Sequence, residues 1–152
     1  MPAGRADVKL MLKPGEMLTL LQEIEEAANK LKFPTSLWCT PFARLIVKSK
    51  GIFNDYCRSS VEMDLDPHGN VLLCDVIDVV VSSIKGREVL QAWREQESNP
   101  LVESLTNPKL HPPCSDCPLS HECRGGCFAR AQLITGDIHA PDPLCPRVVG
   151  LI

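Results

Sequence analysis

The chain has 152 residues, 44% of them apolar, enough for one compact domain or for a small domain joined to a fragment of another. Lys and Arg total 16 against 19 Asp and Glu, with no basic run and no aromatic ladder, which excludes the electrostatic footprint of a nucleic-acid binder. Asp7, Pro14 and Glu16 interrupt the region where a secretory leader needs an unbroken apolar core, and no later run is long enough to span a bilayer, so no membrane is expected and the chain reads as cytoplasmic.

From Pro14 to Lys32, Met17, Leu21, Ile24, Ala28 and Leu31 recur at three and four, with Leu20 and Ala27 widening the stripe. This spacing predicts an amphipathic helix that stops before Pro34. The following "TSLWCTPFARLIVK" is apolar and β-branched enough for one or two short strands, giving an αβ unit. A parallel strand needs neighbours, so the unit suggests a piece of something larger.

Val61, Met63 and Leu65 then alternate with Glu62, Asp64 and Asp66 before "DPHGN" turns into Val71–Leu73. The pattern predicts a β-hairpin bracketed by Cys57 and Cys74, with Gly69 supplying the positive φ of the turn and His68 solvated beside it. A helix is expected from about Arg87 to Gln96, with Val89, Leu90 and Trp93 on its inward face. Asn99 as N-cap and Pro100 as first helical residue predict a short helix closed by Pro108. Beyond His111 the chain is dense in Cys, Pro and Gly, and periodicity returns only in "CFARAQLITG", a helix of two to three turns ending at Gly136. A bound group must organise what the apolar pattern does not. His111, His121 and His139 fall in these loops with solvated or supporting roles, and no Ser/His/Asp or Cys/His catalytic constellation is present.

Eight cysteines, at positions 39, 57, 74, 114, 117, 123, 127 and 145, remain to be explained. In a reducing compartment they argue for thiolate ligands; four disulfides would be the alternative for an exported chain. Cys114 and Cys117 form a C-x2-C pair that brings two thiolates to one metal or cluster edge from a tight turn. Each iron of a [4Fe-4S] cube takes one protein thiolate, so eight cysteines suffice for two cubes. Gly125 and Gly126 allow backbone close to a bulky inorganic core, and Cys117-Pro118 and Cys145-Pro146 repeat a step of ferredoxin ligand loops. Zinc in a closed four-thiolate site is the other reading, and spacing alone leaves both open.

Written out, the cysteines give C-x11-G-x4-C (Cys57, Gly69, Cys74), 39 intervening residues, C-x2-C-x5-C-x3-C (Cys114, Cys117, Cys123, Cys127), then x17 and Cys145. This arrangement resembles the seven-cysteine SPASM domain at the C-terminus of many radical S-adenosylmethionine maturases, over about Cys57 to Cys145. "PAGRA", the helix and the strand are similar to the last turn of the partial TIM barrel that precedes SPASM in those enzymes. The resemblance implies two auxiliary [4Fe-4S] clusters with interleaved ligands. Cys114, Cys117, Cys123 and Cys145 would hold one, and Cys57, Cys74 and Cys127 the other. Cys39 lies outside the pattern. Some family members complete the three-cysteine cluster with an extra upstream cysteine a few residues from the first motif cysteine and some leave an iron open, whereas Cys39 is eighteen before Cys57. It is therefore expected to be a buried structural thiol between Trp38 and Phe42, with Cys39→Ser keeping both clusters.

The chain departs from the family in lacking the C-x3-C-x2-C loop that binds the radical-generating cluster: Cys123-x3-Cys127 is followed at the third position by Arg130. It is not expected to act as a radical enzyme alone and reads as the C-terminal half of a maturase. The expected fold class is α+β, with residues 1–50 as the last αβ unit of a barrel and 51–152 as the SPASM domain. The implied function is substrate binding or electron transfer, with a radical S-adenosylmethionine core protein or a peptide or protein substrate as partner. The alternative is a zinc-stapled interaction domain or a non-catalytic remnant.

Overall fold

The computed structural model describes residues 3–54 and 62–152, and within them the chain is a mixed helix-and-sheet, α+β structure. Helix α1 spans Pro14–Leu31 as the periodicity predicts. Proline occupies its first position, where no amide donor is needed, and the Glu16 carboxylate reaches back to accept from the Lys13 N–H at 2.7 Å. Lys32 turns left-handed at φ 53° and ends the helix ahead of Pro34. Met17, Leu21 and Ala28 carry the buried stripe, whereas Leu31 is exposed beyond the packed turns.

Strand β1 (Thr35–Leu37) pairs in parallel with β2 (Ile52–Asn54), Thr35 opposite Ile52 and Leu37 opposite Asn54. The connection runs through a 3-10 turn, Pro41–Leu45, instead of the second strand or long helix such a crossover often uses. Pro41, Phe42 and Ala43 bury this turn, and Arg44 fastens it by donating to the carbonyls of Ser49, at 2.9 Å, and Ile52. The second strand of this helix–strand unit, β2, thus runs past position 50 to Asn54.

The expected hairpin is present as β3 (Asp64–Leu65) and β4 (Asn70–Cys74), antiparallel with Leu65 opposite Val71. Asp66 organises the turn, its carboxylate accepting from the backbone of His68 and Asn70 at 2.8 and 2.9 Å, while Gly69 takes φ 77°. The hairpin's first cysteine, Cys57, lies outside the described residues, as does Val61 of its first strand. A third strand, β5 (Ile77–Ser83), pairs antiparallel with β4 and completes a three-stranded sheet in the order β3-β4-β5.

Helix α2 (Val89–Glu97) lies where a helix is expected but turns a different face inward. Ala92 and Gln96 are its buried residues, Val89 and Leu90 are exposed, and Trp93 is half-buried. The small Ala92 lets the helix sit close to β5, and Ser82 of that strand donates to Glu95 at 2.8 Å. Helix α3 (Pro100–Thr106) starts as predicted, with the Asn99 side chain accepting from Leu101 N–H at 2.9 Å. A one-turn helix α4 (Ser120–Cys123) and helix α5 (Phe128–Thr135) complete the chain, α5 ending at Gly136 in the left-handed region. Among the described residues no helix is long and apolar enough to cross a membrane.

Two apolar cores form. The first joins Met17, Leu21 and Ala28 of α1 to Phe42, Val47 and Ile52, and also to Cys123, Leu144 and Cys145 from the far end of the chain. The second gathers Ile77, Leu105, Cys127, Phe128 and Ala129, with Cys39, Leu73 and Cys74 packed against it. Each fully buried aliphatic or aromatic side chain contributes about 1.5–3 kcal/mol. Both cores contain cysteines, and that partition sets up the site.

Candidate metal centres

None of the seven described cysteines forms a disulfide. The segment carrying four of them is folded by short backbone turns. The Cys114 and Ser115 N–H groups both donate to His111 O, Cys117 N–H donates to Cys114 O at 3.2 Å, and Ser120 N–H donates to Cys117 O at 3.0 Å. Arg147 fastens the turn from outside, its guanidinium donating to the carbonyls of Pro113 and Asp116 at 3.2 Å each. Cys114 and Cys117 are thereby presented along one edge, as a C-x2-C turn requires.

These two thiols, with Cys123 and Cys145, line a single hollow. Its remaining walls are Phe42, Leu45, Leu119, Ser120 and Val148, with Gly125, Gly126 and Arg147 also lining it. Burial pushes the Cys123 thiol up to about 12, and the neighbouring Cys145, Cys114 and Cys117 sulfurs push the same way. Burial likewise raises Cys145. In the metal-free protein Cys123 therefore keeps its proton at neutral pH, and any metal or cluster that takes it displaces that proton. Four soft donors around a hollow with mostly apolar walls fit an iron–sulfur cluster, with thiolates as ligands and a dry, shielding shell.

Cys127, last of the local run, is not part of this hollow. Arg124, Gly125 and Gly126 all take positive φ (51°, 87° and 90°), reversing the chain between Cys123 and Cys127. Cys127 caps α5 and enters the second core, next to Cys74 and Cys39. The Cys39 thiol hydrogen-bonds to Cys127, which, with Arg130 reinforcing it against burial, lowers Cys127 to about 6. Cys74 moves the other way, pushed up to about 12 chiefly by burial.

A buried ion pair lies between the two groups. Asp142 is fully inaccessible and Arg130 nearly so; Arg130 Nε donates to Asp142 Oδ1 at 2.8 Å and its terminal nitrogen to Oδ2 at 2.6 Å. The carboxylate also accepts from Cys127 N–H and Leu144 N–H, each at 3.0 Å, and the Asp142 backbone bonds both Gly125 O and Cys145 N–H. A single aspartate thus braces the cysteine loop on either side of Gly126. That glycine is required on steric grounds too, since a Cβ there would stand 2.3 Å from Asp142 Cβ. Arg130 completes the brace by donating to Cys39 O at 2.9 Å and lying over the Phe42 ring at 5.9 Å.

Of the seven cysteines expected as ligands, Cys114, Cys117, Cys123 and Cys145 meet in one place, Cys74 and Cys127 in another, and Cys57 lies outside the described residues. Cys39 departs from its expected setting. It is only half-buried, Trp38 beside it is 71% exposed, and its neighbours include Cys127. Asp142 and Arg130 were not signalled as site residues by the sequence; Gly126 in "GGC" was the nearest hint. His111, His121 and His139 are exposed. Among the described residues no group of three or more His, Cys, Asp or Glu converges on a single-ion position. No family model matches the chain.

Proposed function

We propose that the chain is an iron–sulfur module carrying two [4Fe-4S] clusters, one on Cys114, Cys117, Cys123 and Cys145 and the other on a group that includes Cys57, Cys74 and Cys127. By its resemblance to SPASM domains it serves a radical S-adenosylmethionine core protein, binding that protein's peptide or protein substrate or relaying electrons. The observation that carries the reading is the partition of the cysteines: four consecutive motif members separate three to one, Cys127 turning away from Cys114, Cys117 and Cys123 to join Cys74. A lone four-thiolate zinc staple built from the local run would use Cys127 with its neighbours. An interleaved pair of clusters divides the ligands in the observed way.

When bound, the clusters supply one-electron chemistry. This chain's residues supply the thiolates, shield them from water with Phe42, Leu119 and Val148, and set positive charge nearby through Arg147 and Arg130. Protein purified without oxygen and reconstituted with iron and sulfide is expected to hold the two elements in equal amounts, approaching about eight of each per chain, with the broad visible absorption of iron–sulfur clusters. Stoichiometric zinc with negligible sulfide and a colourless solution would overturn the proposal.

A further inference from the structure

Arg147 belongs to no cysteine motif, yet it meets the first candidate centre in two ways. Among the described residues it is the only charged side chain lining the hollow of Cys114, Cys117, Cys123 and Cys145, and it stands two residues after Cys145 in the chain. Its guanidinium donates to Pro113 O and to Asp116 O, at 3.2 Å each, and these are the carbonyls immediately before Cys114 and Cys117. The planar fork thus ties the segment of Cys145 to both arms of the C-x2-C turn and is itself held against the loop that carries two of the thiols.

The charge of Arg147 is also uncompensated. Arg130, which backs Cys127, is neutralised by the buried Asp142 carboxylate. Arg147 donates to two neutral carbonyls, and among the described residues no carboxylate lies within ion-pair distance of it. Fastening two peptide carbonyls requires donors, which a neutral amide also has; it does not require a permanent positive charge.

A four-iron cube on four thiolates is net negative, and a one-electron reduction adds one more negative charge. The other side chains facing it, Phe42, Leu45, Leu119 and Val148, are apolar, so they neither balance that charge nor screen a nearby one as water does. We infer that Arg147 is the counter-charge of the first centre: a positioning residue whose guanidinium, held against the Cys114–Cys117 turn, raises the reduction potential of the cluster bound there. The inference rests on the iron–sulfur reading above and adds to it a residue that sets one centre's potential without being a ligand. The step concerned is reduction by an external one-electron donor such as dithionite: iron gains the electron, no iron–cysteine bond breaks and no proton is taken up. Arg147 stabilises the product of that step more than its starting state, because the product is the more negative of the two.

The test uses the full chain as wild type, Arg147→Gln and Arg147→Lys, each reconstituted without oxygen with ferrous iron and sulfide. Iron is counted, and redox titrations at fixed pH are followed by electron paramagnetic resonance. The reduction step of the first centre is the one missing from Cys145→Ala. In Arg147→Gln that step is expected to move to lower potential by about a tenfold change in the ratio of reduced to oxidised cluster, about 59 mV for one electron, while the other step stays in place. Arg147→Lys keeps the charge and is expected to move the step much less; retention of first-centre iron by Arg147→Lys but not by Arg147→Gln would support the assignment equally. Full iron with an unmoved step in Arg147→Gln, or equal shifts in the two variants, would overturn it. Loss of first-centre iron in both variants would overturn it too, since the centre would then depend on the fork's hydrogen bonds and not on its charge. Each of these failures leaves the two-cluster proposal standing, whereas a wild type that takes up no sulfide would remove both.

Discussion

The hollow around Cys114, Cys117, Cys123 and Cys145 owes most of its shape to one stretch of chain folded by consecutive backbone turns, whereas Cys39, Cys74 and Cys127 meet only because three distant segments share a core. The first group has mostly apolar walls; the second has the Arg130–Asp142 pair directly behind it. The difference shows two ways of placing soft ligands. Short turns fix the thiols of the C-x2-C loop, and a buried ion pair ties Cys127 and the Cys39 backbone to the segment that carries Cys145.

If Asp142 is the brace between the groups, its loss should be the most damaging change short of removing ligands. Asp142→Ala strips the acceptor from Arg130, Cys127 N–H and Leu144 N–H at once and leaves a guanidinium buried without its counter-charge, a loss of about 3–5 kcal/mol. Urea unfolding of the metal-free protein measures it. Arg87→Ala, which breaks the exposed pair with Glu95, is expected to leave the unfolding midpoint unmoved. Equal effects of the two substitutions would show that the buried pair is not what joins the groups.

A smaller effect is expected from the glycine that gives Asp142 its room. Gly126→Ala adds a methyl 2.3 Å from Asp142 Cβ at a φ of 90° and should cost about 2–3 kcal/mol through overpacking and backbone strain. Gly136→Ala introduces the same kind of strain at φ 78° with nothing within 4 Å, and should cost about 1 kcal/mol. Thermal unfolding of both variants separates contact from conformation; similar losses would mean that the approach of Asp142 to the loop is not what demands glycine.

Features encoded by neighbours in sequence were legible: α1 from its apolar spacing, α3 from Asn99 and Pro100, α5 from Gly136, and the turn of the hairpin from "DPHGN". Of the hollow, the C-x2-C pair and the glycines lie within one short run, whereas Cys145 was grouped with them only through the resemblance. Strand β5 went unread although "IDVVVSS" is β-branched, because it follows β4 after only a two-residue break and the paired run ahead of it already read as a complete hairpin. The inward face of α2 was misread since Val89 and Leu90 are its most apolar residues, while close packing against β5 selects the small Ala92. Asp142 and Arg130 have no local signature: an aspartate in "APDPL" looks like a loop residue until its partners arrive from residues 125, 127 and 130. In the sequence Cys39 is weighed as an extra ligand and set aside because it lies eighteen residues before Cys57; its packing against the second core comes from long-range contacts that local spacing does not show.

The separateness of the two groups is tested most directly by counting iron in two single-cysteine variants, Cys145→Ala and Cys74→Ala, each reconstituted without oxygen alongside the wild type. The account predicts that each variant keeps about four of about eight irons and that their Mössbauer spectra, added together, reproduce the wild-type spectrum. If either substitution alone emptied the protein of iron, or if both left the same spectrum behind, the cysteines would belong to one centre and the two-cluster account would be contradicted.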